Sequence, residues 1–297
     1  MEIVAIFGPT GVGKTAVAIA LAERLRARGE DPVAISADAL QVYSGLEALT
    51  GAAGPRERER LEHRLIGFVP VTESFSAGRF AELAHREIDA ALAEGRRPLV
   101  VGGTGLYMRA ALSQLDLRPP PPPELRASVR RRLDEQGPGQ LHAELLQRAP
   151  AAAAGIDPGD RTRITRALEL LEMGEEPAPA GEDSELWTRE LRLPTRLFGL
   201  TMEREALYDR IDARVDELVA AGAPGEVRRA QTAGASDTAR KALGYEELLA
   251  GDLDAMRQRT RNLARRQLTW MRKLQDVRVI DVTGREPGDV AAEIEPG

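Results

Sequence analysis

The chain of 297 residues is long enough for one large domain with an insertion, or for two domains. Its 42% hydrophobic and 30% charged residues, with 28 Gly and 19 Pro, describe a folded protein with many turns and exclude a disordered chain. No uncharged apolar run reaches the ~18 residues of a membrane span. The start MEIVAIFGPT has no basic leader or cleavage pattern. Without cysteine there is no disulfide, thiolate metal site or thiol nucleophile. A cytoplasmic protein is expected, and a monomer, because no repeating apolar face stands out.

The net charge of −6 argues against a nucleic-acid partner only if the charge is evenly spread. It is not. Arg257, Arg259, Arg261, Arg265, Arg266, Arg272 and Lys273 lie within seventeen residues that contain no acid, and smaller clusters fall at Arg126, Arg130, Arg131, Arg132 and at Arg161, Arg163, Arg166. Local patches set the attraction for a phosphate backbone, although solvated helix faces give the same pattern.

In chain order, residues 2–7 (EIVAIF) read as a strand that ends in a glycine-rich turn, followed by a helix to about Arg28. Residues 33–36 and 98–101 are further strands. Between them Phe80, Leu83, Ala84, Ile88, Ala91 and Leu92 recur at helical spacing. This alternation predicts an α/β fold with a parallel sheet. The proline run Arg118–Pro123 is a stiff connector. Segments 124–148 and 160–174 then read as basic helices, and Glu175–Asp183 as a loose stretch. A strand returns at Leu197–Met202, with a long helix to about Ala221, another over 253–274, and a last strand at 277–282. The expected organisation is a P-loop α/β core over residues 1–115 and 191–297, interrupted by a helical insertion at 116–190.

Gly8-Pro9-Thr10-Gly11-Val12-Gly13-Lys14-Thr15 fits G-x-x-x-x-G-K-[ST] between a strand and a helix. Backbone N–H groups, the helix N-terminus and Lys14 together favour a bound phosphate, and Thr15 offers a hydroxyl to Mg²⁺. A nucleoside triphosphate is the default ligand, and a diphosphate ester suits the chemistry equally. Asp38 follows the second strand at the edge where open parallel sheets bind ligands. A capping role, a magnesium ligand and a general base all remain open for it. Gly102-Gly103-Thr104-Gly105 forms a second glycine turn at the same predicted edge. Arg214 borders an apolar helical stripe of Leu207, Ile211, Val215 and Leu218, which a surface arginine explains as well as a functional one. Trp270 could stack on a base or belong to the core. His63, His85 and His142 are scattered and receive no role.

GPTGVGKT, ISADALQVYSG, VVGGTGLYMRAAL, DRTRITRALEL, LTMEREALYDRIDARVDELVAAG, ALGYEEL and TRNLARRQLTWMRK, in this order, resemble the tRNA dimethylallyltransferase (tRNA isopentenyltransferase) family. The resemblance spans about residues 3–275, and GGTGLY with RRQLTWMRK is far more specific than the phosphate loop. It implies a P-loop core whose helical insertion grips the tRNA anticodon stem-loop. It also implies transfer of a dimethylallyl group from dimethylallyl diphosphate to N6 of the adenosine 3′ of the anticodon, assisted by Mg²⁺.

By position, the resemblance makes Asp38 the general base. Gly8, Pro9, Thr10, Gly11, Val12, Gly13, Lys14 and Thr15 become the diphosphate or nucleotide loop, with Thr10, Lys14 and Arg214 acting in catalysis. Asp38, Ala39, Leu40, Gln41, Thr104, Arg126, Thr162, Arg163, Ile164, Thr165, Arg166, Lys241, Ala242, Leu243, Gly244, Tyr245 and Glu246 match tRNA-contacting segments. The chain departs from the family at Ala39, usually Ser, and at Arg64, usually a second His. It departs also at Glu246, often Lys, and at LEALTGAAG, which replaces an MDIGTAKP-like stretch.

Three rivals are a P-loop kinase of small metabolites, an isopentenyltransferase for free adenine nucleotides, and a non-catalytic RNA-binding protein with a vestigial loop. The basic segments argue against the first two. Lys14, Thr15 and Asp38 together argue against the third.

Overall fold

The apolar run Ile3–Phe7 is buried at every position, as a strand covered on both faces must be. In the computed structural model, which describes residues 1–115, 117–118, 120–178 and 190–295, this strand is β1. It is followed by β2 (Pro32–Ser36), β3 (Tyr43–Ser44), β4 (His63–Arg64), β5 (Val69–Pro70), β6 (Arg97–Gly102), β7 (Thr195–Thr201) and β8 (Val277–Asp281). Six of them form one parallel sheet in the order β4-β2-β6-β1-β7-β8, while β3 and β5 pair separately. The α/β expectation holds.

Register fixes the functional edge. Phe7 lies beside Gly102 and Gly199, and Ser36 beside Val101. The loops after β1, β2 and β6 therefore leave the sheet side by side. Gly102 permits a close approach of β2 and β6. A Cβ there would stand 2.2 Å from the Ala37 carbonyl oxygen, while the Ala37 N–H donates to the Val101 carbonyl at 2.8 Å.

The chain divides into two compact units, residues 1–115 with 190–297, and residues 116–189. In the first, the helix Lys14–Ala27 buries Val17, Ala18, Leu21, Ala22 and Leu25 in a core shared with Val290 and Ile294 of the helix Pro287–Ile294. The helix Ala77–Ala93 buries Phe80, Ala84, Ile88 and Ala91 on one stripe, close to the periodicity read from the sequence. Among the described residues no helix is long and apolar enough to cross a membrane.

The second unit is helical, with helices at Pro123–Gln136, Pro138–Arg148, Pro150–Ala153 and Arg161–Glu172. Gly137, at φ +80°, divides the mostly helical segment 124–148 into two helices. Val129, Leu133, Leu141, Leu145, Ile164 and Leu168 make its core. Inside it, Glu169 is buried and faces Arg126 at 3.4 Å and Arg166 at 3.5 Å. His142 Nε2 lies 2.9 Å from the Ile156 carbonyl, which makes it structural. Part of the loose stretch Glu175–Asp183 lies outside the described residues.

Gly102→Ala is expected to lower stability by about 1–3 kcal/mol, the range for overpacking against unyielding atoms. Chemical denaturation measures it, and an unchanged midpoint would show that β2 and β6 do not meet as described.

Candidate active site

The loops after β1 and β2, with Val101 and Gly102 at the end of β6, line a cavity of about 290 Å³. Gly11 and Gly13 take positive φ (83° and 97°), which turns the chain from β1 into the helix that begins at Lys14. Thr10, Gly11, Gly13, Lys14 and Thr15 lie on the cavity wall, as do Asp38, Leu40 and Gln41. The helix Arg204–Ala220 supplies Arg210, Ile211, Arg214, Val215 and Leu218, and Leu49, Leu243, Met256 and Leu263 extend the apolar side. The cavity is thus cationic at one wall and aliphatic at another.

Lys14 is the electrostatic centre. Its Nζ donates to the carbonyls of Gly8 (3.0 Å) and Pro9 (2.9 Å). Desolvation lowers its pKa to about 8; Asp38 opposes that shift and Arg214 adds to it. The pKa of Arg214 is lowered as well, chiefly by burial, against the opposing charges of Glu217, Glu57 and Asp38. Arg214 Nη2 donates to the Gly51 carbonyl at 3.1 Å. Gly51 follows the short helix Glu47–Thr50, whose N–H groups at Ala48 and Leu49 donate to the Glu226 carboxylate at 3.0 and 2.9 Å. The LEALTGAAG departure thus forms a capped turn that receives the arginine.

Asp38 Oδ1 accepts from the Leu40 N–H at 3.0 Å, a local turn that fixes the carboxylate at the end of β2. Burial, with the neighbouring Tyr43 and Asp38, pushes the pKa of Tyr107 up, so its hydroxyl stays protonated.

The structure gathers the phosphate loop, Asp38, Leu40, Gln41, Arg214 and Leu243 around the cavity. Thr104 is the residue before the helix Gly105–Leu112. Lys241, Gly244 and Glu246 lie in the turn before and within the helix Tyr245–Ala250. Ala242 and Tyr245 are buried, and the Tyr245 hydroxyl donates to Gln231 Oε1 at 3.2 Å, so their side chains face inward. In the helical unit Thr162 and Arg163 are exposed, Thr165 and Arg166 partly so, and the Ile164 side chain belongs to the core. Trp270 is part-buried, its ring packed where a Cβ on Gly105 would fall, 2.0 Å away.

The basic helix is less free than its sequence indicates. Arg257 pairs with Asp216 (2.6 Å) and Asp254 (2.8 Å), Arg259 with Glu247, and Arg261 with Asp212. Arg265, Arg266 and Arg272 remain exposed. The sequence reading also passed over Arg210 and Gln267. Gln267 had a legible signal, since it falls on the buried stripe of Met256, Thr260, Ala264 and Met271 where an apolar residue is expected.

Magnesium binds oxygen donors, keeps several waters and is commonly shared between one or two protein groups and substrate phosphates. No group of three or more His, Asp or Glu side chains is arranged for a metal among the described residues. The Thr15 hydroxyl on the cavity wall suits a cation that arrives with a diphosphate.

A glycine-rich loop at the carboxyl edge of a parallel sheet, sharing a half-apolar cavity with a carboxylate and two desolvated cations, defines the α/β class of this protein. Residues 41–274 match the model of the IPP transferase family. Proteins from Kineococcus radiotolerans and Symbiobacterium thermophilum, both named tRNA dimethylallyltransferase, are 39% and 38% identical. Each alignment spans 99% of this chain, and 95% and 93% of the respective relative. The crystal structure of a tRNA isopentenylpyrophosphate transferase from Bacillus halodurans is similar with a TM-score of 0.70 at 33% identity, covering 99% of this chain and 94% of that one. The chain belongs to the IPP transferase family.

A lysine with a pKa near 8 binds anions only while protonated. Affinity for inorganic pyrophosphate, followed by calorimetry, should therefore fall between pH 7 and 9 beyond the change set by pyrophosphate's own protonation, and Lys14→Met should lose that extra component. Identical pH profiles for the two proteins would remove Lys14 from the anion site.

Proposed function

We propose that the protein transfers the dimethylallyl group of dimethylallyl diphosphate to N6 of the adenosine 3′-adjacent to the anticodon in tRNA, giving N6-isopentenyladenosine and diphosphate. The observation that carries this reading is the shared cavity of Lys14, Asp38 and Arg214 with an aliphatic wall. A diphosphate needs the cations, a five-carbon allyl group needs the aliphatic side, and a carboxylate serves the incoming amine. A small-molecule kinase gives no reason for that wall.

The adenine N6 amine is a poor nucleophile, because its lone pair is delocalised into the ring. The allyl carbon compensates, since its developing positive charge spreads over two carbons. The largest task is therefore to stabilise charge on the departing diphosphate. The loop amides, Lys14 and Arg214 do this by preorganised electrostatics in a desolvated site. Thr10 places a hydroxyl beside the same oxygens. Thr15 would hold Mg²⁺ together with the diphosphate, and the ion would neutralise part of the leaving group's charge. Asp38 orients N6 and takes its proton as the C–N bond forms.

Adenine reaches the allyl group only outside its stack, which favours a loop base. Thr104, Gln41 and the segment Lys241–Glu246 stand for contacts to the acceptor. Arg126 and Thr162–Arg166 in the helical unit stand for contacts to the stem-loop, together with the exposed Arg265, Arg266 and Arg272. The protein acts as a monomer, in the cytoplasm where tRNA is found. The reading for free adenine nucleotides would leave these exposed cations without a purpose.

Incubation with labelled dimethylallyl diphosphate and either unmodified tRNA or AMP tests the reading, with label expected in tRNA alone. Transfer only to AMP, or none, would contradict it. Asp38→Asn should lower the transfer rate by about 100- to 10,000-fold with tRNA affinity retained; near-wild-type turnover would end the general-base role. Affinity for tRNA should drop at least about tenfold from 50 to 200 mM salt, and an affinity indifferent to salt would count against phosphate contacts.

A further inference from the structure

Gln267 is a polar side chain with only 7% exposure on the buried stripe of the helix Leu253–Met271. Its Oε1 accepts the Thr10 N–H at 2.8 Å across 257 residues of sequence. The residue before Thr10 is Pro9, which has no N–H to offer. The carbonyls of Gly8 and Pro9 are taken by Lys14 Nζ. The entrance of the phosphate loop is therefore pinned from two sides, its carbonyls by a lysine of the loop itself and its first free amide by a distant glutamine. With that peptide fixed, Thr10 lies on the cavity wall.

The other end of the same side chain meets the second glycine turn. A Cβ on Gly103 would stand 2.5 Å from Gln267 Nε2 and 2.8 Å from the Gly8 carbonyl oxygen. One amide thus touches the start of the phosphate loop and the turn that leads to Thr104. Packing alone does not call for it, since its neighbours on the stripe are Ala264 and Met271.

We propose that Gln267 is a positioning residue. Acting through the Thr10 peptide, it aims the Thr10 hydroxyl at the diphosphate. This rests on the reaction proposed above. Removing the acceptor releases the Thr10 peptide, and the hydroxyl it carries loses its aim, a loss worth about ten- to a hundredfold.

The test uses the full chain with four variants, Gln267→Leu, Gln267→Glu, Thr10→Ala and the double Gln267→Leu/Thr10→Ala. The readings are kcat and KM for dimethylallyl diphosphate at saturating tRNA, and Kd for inorganic pyrophosphate by calorimetry. Gln267→Leu should lower kcat about ten- to a hundredfold. The double variant should be no slower than Thr10→Ala within about twofold, because both changes act through one hydroxyl. Gln267→Glu keeps the acceptor, so kcat should stay within about threefold of wild type, while the added negative charge raises KM for the diphosphate and weakens pyrophosphate binding.

Multiplying losses in the double variant would overturn the proposal. So would Gln267→Glu as slow as Gln267→Leu, or pyrophosphate binding that neither variant alters. Should Gln267→Leu fail to fold, the glutamate variant decides alone. Wild-type protein that transfers nothing to tRNA would sink the reaction itself, and the pyrophosphate affinities would still judge the glutamine.

Discussion

A lysine ammonium held against two backbone carbonyls inside a cavity is the constraint around which the rest is arranged. Burial and, less strongly, the nearby desolvated cation Arg214 lower its pKa to about 8 against the opposing charge of Asp38. Two cations drawn out of water are costly without an anion. In the proposed reaction a diphosphate bound beside them offsets that cost, and the same desolvation strengthens each contact it makes. The charge builds up on the ligand as the allylic bond breaks, so the arrangement favours the transition state over the bound substrate.

Everything that brings partners to Lys14 follows from the sheet. Parallel strands put their carboxyl ends on one edge, and the register of β1, β2 and β6 places the phosphate loop, Asp38 and the second glycine turn side by side. The helix after β7 then adds Arg210 and Arg214 from one face, one turn apart, with Ile211 and Val215 forming aliphatic wall between and beyond them. Polar and apolar parts of the cavity wall are thus supplied by successive turns of a single helix.

Much of this was legible in the sequence because it rests on local signals. The strands β1, β2 and β6 are short continuous apolar runs, and the phosphate loop is a fixed string of residue types. What stayed hidden depends on distant partners. β3, β4 and β5 are two residues each, too short for any periodicity. The helix Glu47–Thr50 is capped by Glu226 from far along the chain, and no local pattern announces that. The basic run Arg257–Lys273 contains no acid of its own, yet Asp212, Asp216 and Glu247 neutralise part of it from neighbouring helices. Ile164 and Tyr245, inside motifs that resemble RNA-contacting segments, turn their side chains into the protein because helical spacing places them on buried faces. Motifs mark segments, and the helix period decides which side chains of a segment reach a ligand.

The central claim concerns one cavity serving both reactants, and a crystal structure with an unreactive thio-analogue of dimethylallyl diphosphate and an anticodon stem-loop tests it most directly. The account predicts the diphosphate in the turn of residues 8–15, contacted by Lys14 and Arg214, with the extruded adenine N6 about 2.6–3.2 Å from the Asp38 carboxylate. A diphosphate bound elsewhere, or an adenine whose N6 faces away from Asp38, would contradict it.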